Sequence, residues 1–357
     1  MNATVASIAK PLPVAAIQAA ITAFWAGAIR PAWIVVAVAS VLVMLVSVLT
    51  PFDYASWSEI ASRTAIITLF LAGAVYCTAN DRRYTSLALE SSALSVAVAL
   101  TVPGLSSYIA SWGVAYADDM LLAADRALGF DWLAIAQWFK ARPDLSVAMS
   151  HIYSSLLWQP AFLLPALAYC DPERLRRVLA ASAIALFVTV LFFTIAPAKS
   201  GYAHFATSPA DFPHVLVSTG WESAKIIANY RTGETQMILE GLITFPSFHA
   251  VAAALFAFAW MGIPVLRWPF AVLNILMLVS CVPIGSHYVV DVLAGIVLAF
   301  AAYRVADRYF ATTDCRAPLP GWRQTPEGAE IIRQVNAVRR EFTAHLPGWP
   351  LAYPPRV

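Results

Sequence analysis

The sequence predicts an all-α fold: a polytopic transmembrane helical bundle of about eight spans. Three observations predict it. Hydrophobic residues make up 60% of the 357 and charged residues 12%, with a mean hydropathy of +0.68, whereas soluble domains carry about 25% charge. Apolar runs of membrane length recur along most of the chain. Arginines cluster in alternate gaps between those runs, as they do on the inner side of polytopic proteins.

A span needs roughly 20 predominantly apolar residues. Such runs fall at 33–50, 61–78, 86–109, 145–169, 178–198, 245–263, 268–284 and 287–309. A ninth stretch at 12–29 is interrupted by Gln18 and preceded by Pro11 and Pro13, and reads as an interfacial helix. No convincing small-residue cleavage site follows it. The chain therefore divides into an N-terminal cytoplasmic or interfacial segment (1–32), a membrane-embedded domain (33–310) and a polar cytoplasmic tail (311–357).

The compact clusters Arg82-Arg83 and Arg174 to Arg177 place the N-terminus and C-terminus in the cytoplasm. With that parity the sixth and eighth helices both run inward, so His249 and His287 share the extracytoplasmic end of two helices. Cys77, Cys170 and Cys315 fall at or near the inner face and Cys281 within a span, a pattern that provides no disulfide framework. A net charge of +2 without basic runs gives no reason to expect a nucleic-acid partner.

Two outer segments are long enough to carry structure. Residues 110–144 alternate apolar and acidic residues at helical spacing, which fits an amphipathic helix on the bilayer surface. Asp118, Asp119 and Asp125 there read equally well as a solvated acidic face or as binding groups. Residues 199–244 carry Tyr202, His204, His214, Trp221, Tyr230 and Arg231, and a loop of that length and aromaticity fits a lid or binding loop.

Ionisable groups inside membrane spans are costly and default to function. His287 and Asp291, four apart, share one helix face. A carboxylate on one ring nitrogen fixes the tautomer and leaves the other free to attack or accept a proton. A structural His–Asp pair is the alternative. His249 lies just inside a helix expected to open at Pro246, where Ser247 and free N–H groups form an anion site. A second such opening is expected at Gly285-Ser286-His287. A phosphoryl transition state also needs a fixed cation, for which Arg231 is the first choice and Lys199 and Lys225 the competitors. His151 either reads a headgroup from the cavity wall or packs between helices. His249, His287 and Asp291 lack a third ligand at metal-binding spacing, so no metal and no cofactor are expected.

These motifs identify a resemblance. Phe245-Pro-Ser-Phe-His249 and Gly285-Ser-His-Tyr-Val-Val-Asp291, continuing to Gly295, resemble the second and third signature motifs of the type 2 phosphatidic acid phosphatase superfamily. The likeness is strongest to its inositolphosphotransferase-like branch, similar to the inositol phosphorylceramide and sphingomyelin synthases. Phe248 between the motif serine and histidine, Arg231 in its Tyr-Arg-Thr-Gly context and the Leu128-Gly-Phe-Asp131-Trp132 stretch look like that branch, and the helix plan extends the likeness over residues 60–310.

The resemblance implies catalytic helices of that superfamily and a phosphohistidine intermediate, with His287 as nucleophile, Asp291 orienting it and His249 protonating the leaving oxygen. It further implies a membrane lipid phosphate as substrate, with water, a polyol or a lipid alcohol as acceptor. The phosphatases' Lys and Arg-Pro motif is missing, and Ser280-Cys281 stands where their third motif has Ser-Arg, so Arg231 would have to compensate. The expected function is a lipid phosphoryl or headgroup transferase, with a lipid phosphate phosphatase as alternative. A transporter using the histidines as a proton relay, or an inactive structural protein, are the readings from other classes.

Overall fold

The computed structural model describes residues 30–312 apart from 55, 81, 238–240 and 264. The expected interfacial helix at 12–29 and the tail beyond 312 lie outside the described residues. The first helices are α1 (Arg30–Leu49), α2 (Trp57–Ala79) and α3 (Arg83–Ala110), with a two-residue strand β1 (Asp53–Tyr54) between α1 and α2. Three follow at the predicted outer segment: α4 (Asp118–Ala127), α5 (Trp132–Lys140) and α6 (Pro143–Tyr153). The chain continues through α7 (Ser155–Cys170), α8 (Pro172–Ile195), the single turn α9 (Gly201–His204) and α10 (Thr219–Arg231). Strand β2 (Gln236–Met237) pairs in parallel with β1, and α11 (Phe248–Trp260), α12 (Arg267–Ser280) and α13 (Val289–Thr312) complete the fold.

Among the described residues, five helical segments are long and apolar enough to cross a membrane: Ala32–Leu49, Trp57–Ala79, Arg83–Ala110, Pro172–Ile195 and Val289–Phe310. Ser155–Cys170, Phe248–Trp260 and Arg267–Ser280 are apolar but shorter. The predicted fourth span, 145–169, is divided into α6 and α7 at Ser154. Ser150 and Ser154 each turn their hydroxyl back to the carbonyl four residues earlier, at 2.8 and 2.9 Å, a competition with the helix ladder that bends helices. The predicted outer loop at 199–244 is built from α9, α10, a short 3-10 turn (Pro209–Asp211) and β2.

Caps mark the boundaries. Asp131 accepts from Ala134 N at the start of α5, and Asp171 accepts from Arg174 N at the start of α8, where Pro172 occupies a first-turn position. Burial is inverted relative to a soluble protein: Leu69, Leu157 and Phe300 are exposed, while Glu90, Gln159, Thr189 and Asn274 are buried. Gln159 and Asn274 exchange amide hydrogen bonds at 3.2 and 3.0 Å between α7 and α12. Polar side chains that bond across helices while apolar ones face outward match a lipid solvent. Small residues close the other seam, where Ala181 and Ala185 of α8, Val251 of α11 and Ala299, Ala302 and Ala306 of α13 share one cluster.

Candidate active site

The two histidine motifs meet at the N-terminal ends of α11 and α13. Ser247 is the N-cap of α11, its side chain accepting from Ala250 N at 3.3 Å. The helix therefore opens at Phe248 rather than at the expected Pro246, which lies before the cap with a cis bond to Phe245. The backbone N–H of Ser247 donates to the carbonyl oxygen of Asp291 at 3.1 Å, joining one motif directly to the other. Gly295 makes that approach possible. A Cβ on it would lie 2.5 Å from the Ser247 carbonyl oxygen and 2.9 Å from the Ala250 Cβ.

His287 is not on the helix that carries Asp291, as the spacing predicted. The helix begins at Val289, and His287 sits in the preceding turn, where Ser286 adopts a left-handed φ of 62°. The pair forms all the same, with Nδ1 of His287 3.5 Å from Oδ2 of Asp291. That carboxylate oxygen also accepts from Tyr288 N at 2.9 Å. The His249 and His287 ring centroids are 6.3 Å apart. Nδ1 of His249 contacts the Tyr153 hydroxyl at 3.1 Å, and the two rings stack with centroids 4.0 Å apart. His287 and Asp291 are both buried.

The second predicted anion-binding helix opening is already occupied by protein. Asp125, on α4, accepts from Val289 N at 2.9 Å and Val290 N at 2.8 Å, the first two residues of α13. Its neighbour two turns earlier, Asp118, accepts from Lys199 N and Ser200 N, and from the Tyr288 hydroxyl at 2.9 Å. Both aspartates are buried, so they are not a solvated acidic face; only Asp119 is, its nearest partner being His204 at 3.8 Å. Burial pushes the Asp125 carboxyl above the usual carboxylate range, while the two α13 N–H groups oppose the rise. Trp132 completes the frame by donating its indole N–H to the His287 carbonyl at 2.9 Å.

The expected substrate-binding residues divide into three groups. Ser286 is spent on the scaffold: its hydroxyl donates to Ser200 Oγ at 3.0 Å and accepts from Tyr202 N at 2.8 Å. Ser247 is spent in part on the α11 cap. Arg231 and Lys199 meet at Tyr116, with the Arg231 guanidinium carbon 3.7 Å and the Lys199 Nζ 4.6 Å from its ring centroid. One Arg231 Nη donates to the Val114 carbonyl, while its buried Nε has no hydrogen-bond partner. Burial raises the Tyr116 phenol above its usual range against the pull of that guanidinium. His151 is exposed, two residues from buried Tyr153.

Among the described residues no group of three or more His, Cys, Asp and Glu side chains is arranged to hold a metal ion. Sequence reasoning passed over Tyr153 and gave Trp132 no role. The seven-residue spacing of Asp118 and Asp125, with Leu121 and Leu122 between them, was the available signal that both acids lie on the buried face.

Fold and site together define a helical membrane protein whose polar centre is a pair of histidines at adjoining helix ends. A family model described as the PAP2 superfamily matches residues 119–305, just over half of the chain, and the chain belongs to that superfamily. Membership supports a lipid phosphatase or phosphotransferase type of activity in an integral membrane protein. No curated protein and no solved structure gives a match.

Proposed function

We propose that this protein is a membrane lipid phosphoryl or headgroup transferase of the inositolphosphotransferase-like kind, working through a phosphohistidine at the extracytoplasmic leaflet. The observation that carries the proposal is the pairing of His249 and His287, each with Nδ1 facing its own partner. Asp291 stands at Nδ1 of His287 and Tyr153 at Nδ1 of His249. That leaves Nε2 of each ring for chemistry, with the ring centroids 6.3 Å apart.

In the first step Nε2 of His287 attacks phosphorus, and the bond from phosphorus to the leaving oxygen breaks with its electron pair going to oxygen. The Nε2 proton of His249 passes to that oxygen. In the second step the acceptor hydroxyl attacks, the N–P bond breaks, and the acceptor proton returns to Nε2 of His249. Asp291 holds the imidazole and stabilises the charge it gains. Arg231, assisted by Lys199, supplies fixed positive charge for the equatorial oxygens, and α11 presents the positive end of its dipole. Ser247 is the remaining hydroxyl at that helix end. The leaflet follows from the arginine distribution.

Hydrolysis shares every step but the acceptor, so a lipid phosphate phosphatase is the second reading. The missing Lys and Arg-Pro motif and Cys281 in place of arginine favour transfer. A panel of lipid phosphates and phospholipids, with and without polyol acceptors and with chelator present, tests both using wild type and His287→Ala. A new phospho-alcohol that the variant cannot make supports transfer, and inorganic phosphate alone supports hydrolysis. Turnover that needs added zinc or magnesium, or that survives in His287→Ala, overturns the phosphohistidine scheme.

A further inference from the structure

We infer that Tyr153 is a positioning residue for His249, fixing which ring nitrogen exchanges the proton; the inference rests on the proposed role of His249 as proton donor. Tyr153 comes from the last turn of α6, far in sequence from either histidine motif. Its ring lies flat against the His249 imidazole, with planes 11° apart and centroids 4.0 Å apart. Its hydroxyl is 3.1 Å from Nδ1 of that imidazole. One buried side chain thus sets the ring plane and occupies one of its two nitrogens.

The fold makes room for this contact. A Cβ on Gly285 would lie 2.5 Å from a Tyr153 ring carbon and 2.8 Å from the Cys281 carbonyl oxygen, so the third motif's opening glycine is where the tyrosine packs. The break between α6 and α7 follows Tyr153 directly.

The chemistry differs from that of the other histidine. His287 faces a carboxylate, which makes an imidazole more basic and a better nucleophile. His249 faces a neutral phenol, which orients the ring without adding negative charge and so leaves it ready to give a proton away. The phenol face also attracts the imidazolium formed when Nε2 carries its proton. Tyr153 exchanges no proton itself. Nε2 loses its proton to the leaving oxygen as the phosphorus–oxygen bond breaks, and regains one from the acceptor.

The test compares leaving groups. The lipid donor found by the panel and a 4-nitrophenyl ester of the same phosphoryl group are assayed with wild type, Tyr153→Phe, Tyr153→Leu and His249→Ala in detergent. An alkoxide needs protonation to leave and 4-nitrophenolate does not. General-acid catalysis contributes about 10²–10⁴-fold, so His249→Ala should lose about that much kcat/KM, which reads only the steps through departure of the leaving group, on the lipid and far less on the nitrophenyl ester. Tyr153→Phe should show the same selectivity with about a tenfold loss of kcat/KM on the lipid, and Tyr153→Leu, which also removes the stacked face, a larger one. Equal losses on both substrates in Tyr153→Phe, or none, overturn the inference while a selective His249→Ala leaves the proposed function standing. An unselective His249→Ala, or a wild type that turns over neither substrate, overturns both.

Discussion

The carboxylate of Asp125 caps α13 from another helix, its two oxygens 2.9 and 2.8 Å from the backbone N–H groups of Val289 and Val290. A helix start normally leaves its first N–H groups unsatisfied within the helix, and the segment leading into α13 is bent into the His287 turn. The cap comes instead from α4, so the direction of α13, and of Asp291 one residue further on, depends on a residue more than 160 positions earlier.

Asp125→Ala should therefore destabilise the protein by about 1–3 kcal/mol for each N–H left buried without an acceptor. Activity should fall more than stability accounts for at the assay temperature, because Asp291 shifts with the helix start. Thermal unfolding in detergent alongside turnover per folded molecule checks both. An Ala variant with wild-type melting and wild-type turnover would show the cap to be dispensable.

The same carboxyl carries a pH signature. Burial raises its folded-state pKa, so the folded protein holds this proton to higher pH than the unfolded chain. Stability contributed by the group is then present below the ordinary carboxylate value and falls as pH rises through the folded-state value. Asp125→Asn cannot titrate. The stability of wild type minus that of Asp125→Asn should decline across that window and level off above it, as read from melting curves over a pH series. A difference that grows with pH would reverse the assigned shift.

Gly295→Ala probes the seam between the motifs. The added methyl would meet the Ser247 carbonyl oxygen at 2.5 Å, and that contact is with backbone. Overpacking of this kind costs about 1–3 kcal/mol. The expected outcome is a lower melting temperature and reduced turnover. Gly233→Ala in the turn after α10, where a Cβ meets nothing within 4 Å although φ is +109°, separates backbone strain from crowding.

Arg231→Lys keeps the charge but loses the planar fork and the fit against Tyr116. Under the proposed function kcat/KM should drop about tenfold or more, equivalent to about 1.4 kcal/mol of transition-state stabilisation, with melting little changed. Wild-type kinetics in Arg231→Lys would remove this residue from phosphate binding.

What the sequence disclosed was what hydropathy and motif spacing encode. The apolar runs give the helices, and the polar islands at His249 and His287 mark the place where two helix ends converge. Partners supplied from a distance were not legible. Nothing local in Leu128-Gly-Phe-Asp131-Trp132 says that the indole will reach the His287 carbonyl, and nothing near Tyr153 says that it will stack on His249. A period-based reading also continued α13 backward through His287. The chain breaks there because a left-handed Ser286 and the Asp125 cap, both tertiary consequences, decide where the helix starts. Arg231 was read as a free cation, but one of its Nη atoms donates to the Val114 carbonyl and its guanidinium lies over the Tyr116 ring.

The backbone bond from Ser247 to Asp291, with Gly295 beneath it, has a consequence for anyone wishing to transplant or redesign this centre. The gap between His249 and His287 is gauged by main chain, not by side chains that can be repacked one at a time. Neither motif can be moved, lengthened or borrowed alone, and the smallest portable module is the pair of helix openings carried together with α4, α5 and α6.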